Sequence, residues 1–351
     1  YSLGISQLCL DWQTEKAGFS IGRKIITFGP GRYGYPMLGP LGTGLTVEGY
    51  DQAGYHFTWG NLGYQKFYAW VPESSFRMLL GQRTTYHLGP FVFGFSEAAL
   101  VNDQAPDYVY LPISFLPIYL YQFLGYHVFK TPHTNETINA ALDFDLTWQP
   151  SANLKLYGEY YIDDRPWPSL DQNNQWVTPK WDQWWWKVGY QAGVEWKNAF
   201  LNPALTLYTE YTRIDQYTYT SWHPGDWTPG LDWTYLGRYL GDSLGPDADR
   251  FNLELVWERS PSLSWSFAYR RVRRGEGEIG DHWSYTPGQT EVFLTGVVET
   301  TDGLTVGVIK QTDDAEISLT VGLANINNAD HVAGNNKIEP TGSVNVTILL
   351  P

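Results

Sequence analysis

The chain has 351 residues and a formal net charge of −14, which argues against nucleic-acid binding because phosphate neutralisation requires a surplus of Lys and Arg. Charged residues make up 17% of the chain and aromatic residues another 17%, whereas a soluble protein carries roughly a quarter charged residues. The single cysteine, Cys9, excludes an internal disulfide and a cysteine-based zinc site. No apolar run reaches the roughly 18 residues of a spanning helix. This composition is typical of a lipid-facing surface ringed by Trp and Tyr, although a large sugar-binding sandwich could share it.

Apolar and polar residues alternate along most of the chain. In residues 138–149, Phe144 and Leu146 share one face, while Asp143 and Asp145 share the other. The same pattern recurs in residues 152–163, 250–259, 262–273 and 315–325. Runs of about ten residues suffice for a tilted strand to cross the hydrocarbon layer, and soluble strands average about half that length. Because lipid cannot pair exposed backbone groups, such strands must close into a cylinder.

We therefore predict an all-β fold, a transmembrane antiparallel β-barrel of about 18 strands in a single domain, residues 1–351, with about 16 strands as the alternative. The predicted strands are 3–13, 17–28, 44–50, 53–60, 62–71, 76–87, 90–101, 117–129, 136–149, 152–163, 184–198, 203–213, 250–259, 262–273, 289–299, 303–312, 315–325 and 342–350.

The connections between these strands predict which end of the barrel faces the cell exterior. Short turns of the periplasmic kind are expected at 88–90, 150–152, 199–202, 260–261 and 301–302, and long extracellular loops at 29–43, 102–116, 164–183, 214–249 and 274–288. The regular alternation fails near both ends, where the short 313–314 turn and the long 326–341 loop have the wrong parity. We expect either a miscounted strand or a further segment before Tyr1.

Two of the long loops are rich in tryptophan, carboxylates and amides. Aromatic rings can cover the apolar C–H faces of a sugar while polar groups bind its hydroxyls. The residues that we predict to contact a glycan are Trp167, Trp176, Trp181, Trp222, Asp226, Trp227, Asp232 and Trp233. The alternative is that these tryptophans pack the loops together or lie at the membrane interface.

A second set of polar residues is predicted to face the barrel lumen: Arg23, Arg83, Glu97, Asp143, Asp145, Glu159, Asp163 and Arg270. Opposed carboxylates and guanidinium groups can form a network that occludes a lumen. In an open pore, the same groups would set ion selectivity.

Signatures of catalysis are weak. The adjacent carboxylates Asp163 and Asp164 point to opposite faces of a strand and cannot flank one glycosidic bond. The seven histidines show no HExxH motif or close pairing. We expect no enzymatic activity, no cofactor and no metal.

Four segments in order along the chain resemble the Wzi-like capsule assembly family of outer-membrane barrels. They are the strand and turn of residues 25–33, the hairpin of residues 79–83 and 93–98, the strand of residues 156–164, and the Leu-Gly-Pro-Asp-Ala-Asp segment of residues 244–249. The resemblance implies an 18-stranded barrel with an occluded lumen and a surface that binds capsular polysaccharide as a lectin.

The leading functional prediction is a non-enzymatic, integral protein of the bacterial outer membrane that binds or organises surface polysaccharide through loops 164–183 and 214–249. One alternative is a diffusion porin, which the net charge would make cation-selective. Another is a structural barrel that anchors an envelope layer. The expected partners are outer-membrane lipid and surface polysaccharide, with other envelope proteins as a further possibility and nucleic acid excluded.

Overall fold

A computed structural model describes residues 6–41, 47–72, 76–103, 118, 137–164, 169–170, 176–177, 187–221, 231–281 and 292–348. Its strands are β1 (Leu8–Gln13), β2 (Ala17–Lys24), β3 (Tyr50–Trp59), β4 (Leu62–Pro72), β5 (Phe76–Leu88), β6 (Phe91–Asn102), β7 (Ile138–Ser151), β8 (Leu154–Asp164), β9 (Ser169–Leu170), β10 (Trp176–Val177), β11 (Lys187–Lys197), β12 (Leu205–Ile214), β13 (Thr234–Tyr235), β14 (Arg238–Tyr239), β15 (Ala248–Ser260), β16 (Leu263–Arg274), β17 (Glu299–Gln311), β18 (Ala315–Asn327) and β19 (Lys337–Ile348). Two single turns of 3₁₀ helix span Ala199–Leu201 and Ala329–His331.

Fifteen of these strands form one antiparallel sheet in which each strand pairs with its neighbours in the chain. The other four form two small hairpins, β9 with β10 and β13 with β14. The sheet confirms the predicted all-β, antiparallel fold. In the part of the chain that the structure describes, no helix is long and apolar enough to cross a membrane.

The strand count differs from the predicted 18 for three reasons. Residues 47–60 hold one strand, β3, because its alternation continues through residues 51–52, where we predicted a break. The predicted strand 289–299 is wrong, since residues 292–298 form bends and β17 begins at Glu299. The predicted strand 117–129 lies outside the described residues, apart from Ile118. Among the described strands, β1 and β19 are not paired with each other, so the predicted closure is not seen there.

With these boundaries, the connections lie alternately at the two ends of the sheet, and all of the long ones lie at one end, which also carries the three-residue connection 73–75. The short turns, which define the short-turn end of the sheet, are 14–16, 60–61, 89–90, 152–153, 198–204, 261–262 and 312–314. The opposite, long-loop end carries the connections 25–49, 73–75, 103–137, 165–186, 215–247, 275–298 and 328–336. The predicted turn at 301–302 is wrong because these residues lie inside β17. The failed alternation near the two ends of the chain came from the predicted strand 289–299, which is not a strand, and from the division of β3 into two predicted strands.

The outer face of the sheet is apolar and exposed, as the alternation predicted. Leu146 and Leu319 are 40% and 44% exposed, whereas Asp143, on the other face of β7, is fully buried. Trp12, Trp59 and Phe200 lie exposed at the short-turn end, where a membrane-interface aromatic belt is expected.

Part of this outer face is covered. Leu142 shares the predicted lipid-facing side of β7 with Phe144 and Leu146, but it is buried against Ile162 and Val188, so contact of this residue with lipid is not supported.

Candidate functional site: the filled interior of the sheet

Residues 25–41, here called the first interior segment, leave β2 at the long-loop end and turn inward. Phe28, Met37 and Leu38 are fully buried, and the Phe28 N–H donates to the Leu38 carbonyl oxygen at 3.0 Å. The turn depends on Gly29, which has a φ of 97° and lies so close to Glu159 that a Cβ would overlap the carboxylate. The Gly-Pro-Gly turn therefore packs directly onto a carboxylate of the inner face.

Two inward-facing glutamates hold the next part of this segment. Glu210 accepts hydrogen bonds from the backbone N–H groups of Arg32, at 2.7 Å, and Tyr33, at 3.2 Å. Glu254 binds the Arg32 guanidinium at 2.9 Å and the Tyr33 hydroxyl at 2.5 Å. Burial, together with the Glu254 carboxylate, raises the pKa of the Tyr33 phenol. The sequence analysis did not select these residues, although both glutamates follow the polar period of β12 and β15.

The second interior segment, which comprises residues 215–221 and 231–245, packs against the first. The Trp233 indole N–H donates to the Met37 carbonyl oxygen at 2.8 Å, and the Tyr219 hydroxyl donates to the Pro36 carbonyl oxygen. The Gly39 N–H donates to the carbonyl oxygen of Leu240 at 2.8 Å. The two segments thus form a single buried cluster inside the sheet.

In the large sheet, the strands from β3 to β15 contact this cluster with their inner faces, so the sheet wraps around it. Arg77 of β5 donates to the Asp232 carbonyl oxygen at 3.1 Å, and Asn139 of β7 donates to that of Leu231 at 2.8 Å. Further contacts link Tyr50 of β3 with Gly39, Asp163 of β8 with the Tyr219 N–H, and Lys187 of β11 with the Thr220 carbonyl oxygen. The lumen is filled by protein at this level.

A buried ion pair fixes the end of the second segment. The Arg250 guanidinium binds both oxygens of Asp242, at 3.0 and 2.7 Å, and both side chains are almost fully buried. Bidentate pairing of this kind is strong and geometrically specific. It lies beside the Leu-Gly-Pro-Asp-Ala-Asp segment, where the Asp247 carboxylate accepts hydrogen bonds from the backbone N–H groups of Gly277 and Thr295.

Five of the predicted lumen residues meet on the inner faces of β5, β7 and β8. Arg83 binds both carboxylate oxygens of Asp145, at 2.7 and 3.0 Å. Asp143 and Glu159 are buried beside this pair, on neighbouring strands. Asp163 accepts the Tyr219 N–H at 2.7 Å.

Arg270 also faces inward, opposite Asn252, but lies away from this group on β16.

Two predicted lumen residues lie on the outer face instead. Glu97 pairs in register with Gln82 rather than with Arg83, and it is buried there with its carboxylate accepting the Ile118 N–H at 3.1 Å. Because the side-chain period is two, this one-residue offset reverses the face. Arg23 forms an ion pair with Asp51 at 2.7 Å. The register places Arg23 and Asp51 on the outer face, which they share with the exposed residues Ile21 and Trp70.

Most of the predicted glycan contacts lie outside the described residues: Trp167, Trp181, Trp222, Asp226 and Trp227. Trp176 begins β10, and only its backbone is described.

Two predicted glycan contacts are described and are buried. Trp233 is 0% exposed, so the prediction that it touches a ligand is wrong for this conformation. Asp232 is also buried; its carboxylate accepts the Ser221 N–H at 2.9 Å, and burial raises its pKa. Both residues pack within the second interior segment. For Trp233, this is the alternative given in the sequence analysis, in which the loop tryptophans pack the loops together.

A polar cavity of about 410 Å³ remains beside the filled part of the interior. Its lining includes Arg32, Tyr33, Asp242, Arg250, Asn252 and Arg270. Arg250 and Asn252 lie near the start of β15, and Arg270 lies near the end of β16, so the cavity is in the long-loop half of the sheet. Among the described residues, no group of three or more His, Cys, Asp or Glu side chains could hold a metal ion.

A family model described as capsule assembly protein Wzi matches residues 129–339, which is more than half of the chain. The chain belongs to the Wzi capsule assembly protein family. Its structure is similar to that of Wzi from Escherichia coli, with a TM-score of 0.60 at 13% sequence identity over 96% of this chain and 68% of that one. Escherichia coli Wzi is an outer-membrane, carbohydrate-binding β-barrel involved in group 1 capsule assembly.

A BenF-like porin from Pseudomonas fluorescens is a more distant structural relative of this Wzi-family chain. The TM-score is 0.50 at 8% identity, over 96% of this chain and 75% of the porin. No curated protein matches the sequence. The fold is that of an outer-membrane β-barrel, in agreement with the predicted location.

Proposed function

We propose that this Wzi-family protein is a non-enzymatic barrel, one domain over residues 1–351, that binds surface polysaccharide at its long-loop end during capsule assembly. The observation that carries the proposal is the filled interior, in which the first and second interior segments are joined to each other and to the inner faces of the sheet. A barrel whose lumen is filled by fixed side chains has no open channel for transport, but it can bind a ligand at its surface. The carbohydrate-binding activity of Escherichia coli Wzi supports the ligand class.

The diffusion porin is the rival function. A porin needs a continuous aqueous lumen. Here Trp233, Tyr219 and Phe28 occupy the centre of the interior and are fully buried, which favours binding over transport.

The proposed glycan contacts are the loop tryptophans and their neighbouring carboxylate. They are Trp167, Trp176, Trp181, Trp222, Asp226 and Trp227. For Trp222, Asp226 and Trp227 the second interior segment gives physical support, because residue 221 is anchored through its N–H to Asp232 and residue 231 through Asn139. A loop whose two ends are fixed loses less conformational freedom on binding. Repeated weak contacts along a polymer would add through multivalency.

The experiment is retention of the cell's own surface polysaccharide by purified protein. Wild type is compared with Trp227→Ala and with Trp59→Ala, a control tryptophan that is 81% exposed at the short-turn end. We expect wild type and Trp59→Ala to retain the polymer, and Trp227→Ala to retain less.

No retention by wild type would refute polysaccharide binding. Equal retention by all three proteins would place the site away from Trp227.

A further inference from the structure

Three arginines line the cavity in the long-loop half of the interior, and one of them, Arg270, has no ion-pair partner among the described residues. Two of its arginines are neutralised locally, Arg32 by Glu254 at 2.9 Å and Arg250 by Asp242 at 2.7 Å. Arg270 makes no hydrogen bond or ion pair with any residue that the structure describes, and its side chain is exposed to the cavity. One guanidinium in this lining is therefore open to an anion.

A second free donor lies directly opposite Arg270. Asn252 and Arg270 are register partners on β15 and β16, a spacing at which side chains interact. Asn252 is buried, and its Nδ2 has no acceptor among the described residues. A buried amide N–H₂ without a partner costs free energy, and an anionic oxygen in the cavity would satisfy it.

We propose that Arg270 and Asn252 form a binding subsite for the carboxylate of an acidic saccharide, a uronic acid. The planar guanidinium can donate two parallel hydrogen bonds to a carboxylate, and the amide can donate a third. The Tyr33 ring and Ser243 lie in the same lining and offer an apolar face and a hydroxyl for the sugar itself. The cavity volume of about 410 Å³ falls in the range of small-molecule sites.

The subsite deepens the proposed function, on which it rests for the ligand class. Binding is measured by calorimetry on the full chain in detergent, with an oligogalacturonate and with a neutral galactose oligomer of equal length. We expect tighter binding of the acidic oligomer, and a loss of about tenfold in that preference with Arg270→Gln or Asn252→Asp. High salt should reduce the preference as well.

Arg271→Gln is the matched control. Arg271 is the next residue of β16, lies on the outer face and pairs with Asp302 at 3.3 Å, so its substitution changes the net charge equally. This variant should keep the wild-type preference. Heat-modifiable electrophoretic mobility shows that each variant is folded.

Three results would overturn the subsite: equal affinity of wild type for both oligomers, an unchanged preference in folded Arg270→Gln, or displacement of the oligogalacturonate by an equal concentration of inorganic sulfate. The last would identify a small-anion site. Retention of the cell's polysaccharide without any preference for acidic oligomers would refute the subsite and leave the proposed function standing. A preference for acidic oligomers without retention of the cell's polysaccharide would support the subsite and refute the proposed function.

Discussion

The indole N–H of Trp233 donates a hydrogen bond to the carbonyl oxygen of Met37 at 2.8 Å, across a sequence separation of 196 residues. This bond joins the two interior segments at the centre of the buried cluster, where Trp233 is 0% exposed. The filled state of the lumen therefore depends on long-range contacts between two connections that leave the same end of the sheet.

Trp233→Ala should destabilise the protein by about 3–5 kcal/mol, since it removes a fully buried ring and leaves a cavity. Trp233→Phe should cost less, because it removes the indole donor and only part of the ring volume. The measurement is urea unfolding in lipid vesicles, followed by Trp fluorescence. Trp59→Ala, at an 81% exposed position, serves as the control and should change stability by less. Equal effects at the two positions would contradict the packing described for Trp233.

Gly29→Ala should destabilise the interior more than Gly60→Ala. Both glycines have positive φ, 97° and 57°, so both substitutions carry backbone strain. A Cβ at Gly60 meets nothing within 4 Å, whereas one at Gly29 overlaps the Glu159 carboxylate. The measurement is the free energy of unfolding of the two variants. Gly60→Ala reports the backbone strain alone, and the additional loss in Gly29→Ala reports the steric overlap with Glu159. Adding Glu159→Ala to Gly29→Ala should recover part of the loss, and a double-mutant cycle without coupling would argue against the contact.

Leu319→Arg, on the outer face of β18, should cost about 2–4 kcal/mol if this position lies at bilayer mid-depth. Leu255→Arg on β15 should behave similarly. Thr320→Arg is the control, because Thr320 is the next residue and faces inward with Gly307. The free energy of unfolding in vesicles is compared for the three variants. If the two leucine positions accept arginine as readily as Thr320 does, the assignment of faces is wrong.

The sequence predicted the parts of this fold that depend on local alternation. The inward positions of Asp143 and Asp145 and the exposure of Leu146 follow from the period of β7 alone. The two-residue period of side chains along a strand also explains the error at Glu97. Arg83 and Glu97 lie on neighbouring strands, but the turn at residues 89–90 sets a register that pairs Arg83 with Ser96, so Glu97 faces the other way. Residues 289–299 were predicted as a strand because an apolar run has no feature that distinguishes it from a packed loop.

The interior could not be predicted from local patterns. The Arg32 N–H binds Glu210 across 178 residues, and Asp242 meets Arg250 only because the second segment folds back onto β15. The same folding explains why Trp233 is a packing residue, although its neighbourhood of Trp and Asp is also typical of a sugar-binding loop. The family resemblance implied an occluded lumen, and the structure adds which residues fill it.

Arg83→Ala should loosen one wall of the interior, because it leaves the Asp145 carboxylate buried without its bidentate partner. Removing one member of a buried pair typically costs about 3–5 kcal/mol. In planar bilayers this variant should show more frequent openings than wild type. Arg271→Ala, whose side chain lies on the outer face, should not, and equal behaviour of the two variants would count against an occluding role for Arg83.

The single-channel conductance of wild-type protein in a planar bilayer tests the filled interior most directly. With Phe28, Tyr219 and Trp233 buried at its centre, the barrel should show no large, steady conductance, and Gly-Ser replacement of residues 31–40, which removes the Pro36 and Met37 contacts of Tyr219 and Trp233, should raise the conductance. A large, steady conductance in wild type would contradict the account and establish a porin.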